Sequence, residues 1–211
     1  MVYLFYLKIY QINNIPRNLF ESKIISNNVI DKKLIFSYFG NIGKAQKLDY
    51  FLDLFMKIKN ENFEINIFGS GSEKKKLKKK YNDEKIIWHQ YVDEKELFIE
   101  YNRTNFFLLP IDATGRQKYI IPGKFSSYLF FHRPIIGFSN KNSALEDYIT
   151  KNKLGIFIDI DQNSKTNVVE IEKLFFHKKE YYEFQYTNTK KFYEENFSNR
   201  SIYDQIKKIF I

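Results

Sequence analysis

Short apolar runs alternate along this chain with stretches whose apolar residues recur every three or four positions. The runs fall at 3–12, 34–39, 63–68, 85–89, 105–110, 134–138 and 155–160, and they predict strands. The periodic stretches near 43–59, 72–81, 94–102, 122–132 and 142–152 predict helices. In the first of these, Leu48, Phe51, Leu52, Phe55 and Ile58 share one face. The segment Phe106-Phe107-Leu108-Leu109-Pro110 is apolar throughout, as a central parallel strand should be. Alternation of this kind predicts an α/β fold: a Rossmann-like parallel sheet with flanking helices. After residue 160 the pattern turns helical, at 165–177 and 179–196. Ser198 is placed to cap a last helix with Ile202, Ile206, Ile209 and Phe210 on one face. The reading is one α/β domain closed by extra C-terminal helices.

The glycines sharpen this picture, because they sit at strand ends. Gly40 and Gly43 follow one strand, Gly69 and Gly71 the next, and Gly115 and Gly123 come after Pro110. In an open parallel sheet the ligand crevice lies outside the carboxyl ends of the strands. Phe39-Gly40-Asn41-Ile42-Gly43-Lys44-Ala45-Gln46 is the strongest case: apolar run, glycine turn, helix start. That order predicts free backbone N–H groups and the positive end of a helix, which together suit a phosphate. Gly69-Ser70-Gly71-Ser72 starts a dinucleotide fingerprint, but the third glycine falls on Lys74, so it reads as a tight turn or a ligand-facing loop. Pro122-Gly123-Lys124 opens the helix before Arg133-Pro134. A lysine in a first turn opposes the helix dipole, a conflict that an anionic ligand removes. Arg116 and Lys118, in the loop before it, read equally as phosphate grips or surface charges.

Charge adds one question. The net charge is +9, and much of it comes from Lys74-Lys75-Lys76-Leu77-Lys78-Lys79-Lys80. This is either a solvated helix face or a surface for anionic headgroups and polyanions. No nucleic-acid-binding motif accompanies it, so nucleic acid is not an expected partner. The chain has no cysteine, which removes disulfides, thiolate metal sites and cysteine nucleophiles. His89, His132 and His177 lack metal-ligand spacing, and Asp159 and Asp161 alone imply no metal, so none is expected. His132 beside Arg133 reads as structural, whereas His89 ends a strand at the ligand edge. No nucleophile–base pair is visible, and the catalytic residues are unknown at this level. No apolar run approaches the ~20 residues that span a bilayer. Met1–Leu7 lacks a basic leader and cleavage site and reads as strand, so a cytoplasmic protein is expected, with contact at the inner face of the membrane as an option.

Taken in order, the loops resemble a known family. Gly40-Asn41-Ile42-Gly43-Lys44-Ala45-Gln46 is similar to the first nucleotide-domain loop of GT-B fold glycosyltransferases, in particular retaining family 4 enzymes that build bacterial surface polysaccharides. Ile65-Asn66-Ile67-Phe68-Gly69-Ser70-Gly71 resembles their second glycine loop, and Ile86-Ile87-Trp88-His89-Gln90-Tyr91-Val92 the strand that follows. Pro122-Gly123-Lys124-Phe125-Ser126-Ser127-Tyr128 with Arg133-Pro134-Ile135-Ile136 looks like the signature helix. Asn196-Phe197-Ser198 and the final helix resemble the family C-terminus, and Asn13-Asn14-Ile15-Pro16 the interdomain segment.

The resemblance implies that 1–30 is linker and 31–211 is the C-terminal, nucleotide-sugar-binding half of a GT-B enzyme. It implies transfer of a sugar from a nucleotide diphosphate sugar to a polysaccharide or lipid-linked acceptor, with no cofactor and no required metal. The binding residues it implies are Gly40, Asn41, Gly43, Lys44, Gly69, Gly71, Pro122, Gly123, Lys124 and Ser127. Ser127 stands where the family usually has a glutamate for the ribose hydroxyls, and Asn41 where many relatives have arginine. The acceptor-binding half expected of the family is not in these residues. The alternatives are therefore an N-terminal-half partner chain, or a truncated remnant or non-catalytic nucleotide-binding subunit. An epimerase of the same fold is a weaker third.

Overall fold

The computed structural model describes residues 33–60, 62–90, 92–176 and 178–203. The strands are β1 (Leu34–Phe39), β2 (Phe63–Phe68), β3 (Ile86–Trp88), β4 (Phe106–Pro110), β5 (Ile135–Ser139) and β6 (Gly155–Asp159). The helices are α1 (Leu48–Phe55), α2 (Lys74–Lys80), α3 (Glu94–Arg103), α4 (Lys124–Phe130), α5 (Ala144–Lys151), α6 (Ser164–Phe176) and α7 (Lys178–Asn196). Short 3₁₀ turns occupy Lys44–Gln46 and Gly115–Tyr119. The expected strand 3–12, the linker at 1–30 and the Ile206, Ile209 and Phe210 face of the last helix lie outside the described residues, as does His177. Residues 199–203 are helical, and Ser198 caps them, its Oγ accepting from the Ser201 amide at 3.1 Å.

All pairings are parallel, and the strands lie in the order β3-β2-β1-β4-β5-β6. The order reverses between β1 and β4. That reversal opens a crevice at the carboxyl ends of those two strands. Successive residues of each strand serve opposite faces of the sheet. Phe36, Tyr38, Ile65, Ile67 and Leu108 join one buried cluster with Phe51, Phe55 and Ile171. Phe39, Phe68, Phe107 and Leu109 join the other with Phe125, Tyr128 and Leu145. The face predicted from the periodicity is buried in full, with Leu48, Phe51, Leu52 and Phe55 on α1 and Ile58 just beyond its end, since the helix stops at Phe55 and not at 59.

The second face is largely aromatic. His89, Phe68, Phe39, Tyr101 and Phe131 form a continuous column of near-parallel rings, with neighbouring centroids 3.9, 4.5, 4.1 and 4.7 Å apart. Flat rings in offset contact fill the layer between sheet and helices at high density.

Arg133 is the largest fully buried side chain. Its guanidinium donates to the carbonyls of Thr104 (3.0 Å), Phe131 (3.2 Å) and Asn102 (3.2 Å), and it lies 5.6 Å from the Tyr186 ring centroid. It thereby ties the ends of α3 and α4 to α7. His132 beside it adopts φ 57°, edge-on to Tyr186 and Tyr193. Burial, then Lys190 and Arg133, push its imidazole down to about 4, so it is neutral at physiological pH.

Arg133→Ala would strand the carbonyls that Arg133 holds. It should cost about 3 kcal/mol of stability. Urea unfolding checks this, and a loss under about 1 kcal/mol would show that the buried fork is dispensable.

Candidate active site

The site is built at the carboxyl end of β1, where three segments meet. The first is the loop after β1. Three of its amides, those of Gly40, Ile42 and Gly43, are engaged rather than free as the sequence predicts. The Gly40 amide donates to the Phe68 carbonyl (2.9 Å) and the Ile42 amide to the Ser70 carbonyl (2.7 Å), so the ladder between β1 and β2 runs on into both loops. The Gly43 amide donates to Gln46 Oε1 at 3.1 Å, which also accepts from Asn41 Nδ2 at 3.3 Å. Gly43 opens only a 3₁₀ turn, and α1 begins at Leu48, not at Gly43. The break falls at Lys47, which takes φ 49°, a left-handed conformation that costs a side-chain-bearing residue ~1 kcal/mol. Its ammonium pairs with Asp112 at 3.3 Å, and the Asp112 amide bonds the Ala45 carbonyl at 2.9 Å, which pins the 3₁₀ turn to the loop after β4.

The second segment is the loop after β2. A Cβ on Gly69 would lie 1.8 Å from the Gly40 carbonyl oxygen, and one on Gly71 would lie 2.3 Å from that of Ile42. Both glycines also hold positive φ, 139° and 155°. Their missing side chains let the two loops run side by side. Lys74, where the dinucleotide pattern would need a third glycine, closes this region. Its ammonium donates to the carbonyls of Gly69 (2.7 Å) and His89 (2.6 Å). His89 bonds Asn66 Oδ1 through Nε2 at 2.6 Å and stacks on Phe68.

The third segment is α4. Tyr128 fixes it to β1: its hydroxyl accepts from the Phe39 amide (3.2 Å) and donates to the Phe39 carbonyl (3.4 Å), and its ring stacks on Phe107 at 4.1 Å. One turn earlier, Lys124 reaches across the end of β1, directly over Gly40. A Cβ there would sit 2.2 Å from its Nζ. The ammonium donates to Tyr38 Oη at 3.0 Å and lies 4.3 Å from that ring's centroid. Among the described residues no carboxylate pairs with it. Burial alone lowers its pKa to about 8. With only seven residues, α4 contributes little as a dipole, so the positive charge here is the ammonium itself. Pro122 and Gly123 lead into the helix, and the Phe125 amide already bonds the Pro122 carbonyl. Ser127 is half-buried one turn beyond Lys124.

The remaining candidates are peripheral to this arrangement. Asn41 and Lys44 are exposed on the first loop. Arg116 is exposed in the 3₁₀ turn that leans on α5, and Lys118 lies over the Tyr119 ring at 4.9 Å. Along α2, Lys80 pairs with Asp53 and Lys76 with Glu73, while Lys75, Lys78 and Lys79 face solvent. No group of three His, Asp or Glu among the described residues is placed to hold a metal ion. No helix among them is long and apolar enough to cross a membrane.

Residues 33–174 match the family described as "Glycosyl transferases group 1". The chain belongs to that family. Its fold is that of the C-terminal domain of a GT-B glycosyltransferase. The C-terminal domain of a group 1 glycosyl transferase, LpcC, from Francisella tularensis superposes with TM-score 0.64 at 17% identity, over 80% of this chain and 88% of that one. HepE from Anabaena, solved with UDP and glucose, gives 0.65 at 8% identity, over 85% of this chain and 48% of that one. The pneumococcal O-GlcNAc transferase GtfA, solved with UDP and GlcNAc, gives 0.65 at 15% identity, over 85% and 36%. This chain thus spans less than half the length of HepE and GtfA. No curated protein matches the sequence significantly. The matches lend nothing to the non-catalytic alternative.

Lys124→Met keeps the length of the side chain and removes a cation that no carboxylate among the described residues pairs with. Its folded pKa, about 8 against 10.5, means that the unfolded chain binds the proton more tightly. The charge therefore destabilises the fold fully below pH 8, and the penalty fades as pH rises from 8 to 10.5. Lys124→Met should be more stable than the parent chain at pH 7. Urea unfolding at pH 7 and pH 10 checks this, the gain shrinking at the higher pH.

Proposed function

We propose that this chain is the donor-binding half of a retaining glycosyltransferase that uses a nucleotide diphosphate sugar. The observation that carries the reading is the half-buried Lys124 ammonium over Gly40 at the β1/β4 reversal, with no carboxylate paired to it among the described residues. A cation kept there at a cost in stability is explained by an anion that arrives later. Family membership supports a sugar-transfer reaction, and the diphosphate is the anion such a donor brings.

In this reading the diphosphate lies over the loop Gly40–Lys44, with Asn41 and the Gly43 amide beside it once Gln46 swings aside. Gly69 and Gly71 form its backing wall, and Pro122 and Gly123 set the start of α4. Ser127 reaches the ribose hydroxyls. During transfer the bond between the anomeric carbon and the β-phosphate oxygen breaks, and its electron pair stays on the diphosphate. Lys124 stabilises that charge in a site shielded from water. The acceptor oxygen forms the new bond on the same face of the sugar and loses its proton. The acceptor and the groups that handle this proton belong to a second half, on the same polypeptide or on a partner chain, and the product is a polysaccharide or lipid-linked sugar.

Calorimetric titration of the purified chain with UDP, GDP and their sugars should show binding to at least one. Lys124→Ala should weaken it about 30-fold, the loss of one charge-assisted hydrogen bond of roughly 2 kcal/mol. Absence of binding to every nucleotide would falsify the assignment. The chain alone should release no sugar to acceptors above background while still binding donor. Turnover by the purified 211-residue polypeptide would remove the need for a second half.

A further inference from the structure

We propose that Tyr38 is a positioning residue for the donor diphosphate: its ring and hydroxyl hold the Lys124 ammonium against the first glycine loop. This rests on the assignment of Lys124 to the diphosphate. Tyr38 points into the cluster of the α1 face, whereas α4 packs on the opposite face of the sheet. Lys124 therefore has to cross the end of β1 to meet it, and Gly40 supplies the gap through which it does so.

Packing alone would be satisfied by phenylalanine, as at Phe36 two residues earlier on the same face. The hydroxyl is what Tyr38 adds. It is fully buried, so it must be satisfied from within the protein. It accepts from Lys124 Nζ at 3.0 Å and donates to the Asn41 carbonyl at 2.5 Å. One oxygen thus links the cation on α4 to the backbone of the loop after β1. The ammonium has three donors, and the hydroxyl uses one. The other two remain for ligand oxygens, and the ring below the ammonium stabilises its charge. Tyr38 titrates far above the physiological range because it is buried, so it stays a neutral hydroxyl while Lys124 titrates. Among the described residues no carboxylate pairs with Lys124, and the hydrogen bond and ring contact from Tyr38 are the side-chain contacts that face its ammonium.

Tyr38→Phe tests the proposal in the full chain with two readouts. The first is the Lys124 titration in the free protein, followed by NMR on chains labelled at lysine Cε and assigned by the resonance missing from Lys124→Met. The expected result is a midpoint about one pH unit below that of the parent chain, the loss of one hydrogen bond to the charged form. The second is affinity for UDP and GDP between pH 6 and pH 9. The two chains should differ little at pH 6, where Lys124 is charged in both, and about tenfold at pH 9. An unchanged midpoint, or an equal loss of affinity at every pH, would overturn the proposal. A shifted midpoint without nucleotide binding by the parent chain would retain the Tyr38–Lys124 coupling and sink the assignment to a diphosphate. If Tyr38→Phe does not fold, 3-fluorotyrosine at position 38 keeps ring and hydroxyl but weakens the oxygen as an acceptor. A smaller shift in the same direction supports the proposal, and none overturns it.

Discussion

The loops leaving β1 and β2 approach so closely that neither Gly69 nor Gly71 has room for a methyl group. Everything at the crevice follows from this contact. It extends the ladder beyond the strands, consumes the Gly40 and Ile42 amides and fixes the height of the first loop. It also leaves Gly40 as the bare point over which a side chain from the opposite face can pass. Backbone amides are the usual means of holding a phosphate at such a turn. Here the most central ones are already bonded, so recognition shifts toward a side-chain cation.

That cation is held by two tyrosines with different tasks. Tyr128 fixes the helix by bonding both backbone groups of Phe39. Tyr38 fixes the ammonium one turn earlier on the same helix. Both rings also belong to the core, one in each buried cluster. Core packing and the site therefore share residues, and the accuracy of the site is set by the density of the interior.

The elements were largely legible in the sequence. Each predicted strand within the described residues agrees with an observed one to within two residues at either end, because period-2 and period-3.6 patterns are what a two-sided sheet and its helices demand. The site was legible in its position, less so in its mechanism. The break at Lys47 was hidden because a left-handed residue is expected to be glycine. Arg133 was hidden because a guanidinium reads as surface, and only the three-dimensional arrangement gathers three carbonyls around it. Tyr38 was hidden among the many aromatic residues, its hydroxyl indistinguishable from any other until Lys124 is placed beside it. The spare charge on Lys124 itself was readable, since a first-turn lysine has no local reason to be there.

Trp88 is the chain's single tryptophan, and it closes β3, one residue before His89 and next to the carbonyl that Lys74 holds. Its ring packs against the core, and its buried indole nitrogen has no hydrogen-bond partner among the described residues. The fold has thus placed the chain's one tryptophan at the carboxyl end of the edge strand β3, beside the loops after β2 and β3. Any rearrangement of the loop after β3 changes the surroundings of that ring. The unlabelled protein therefore reports on this edge of the site through its own emission.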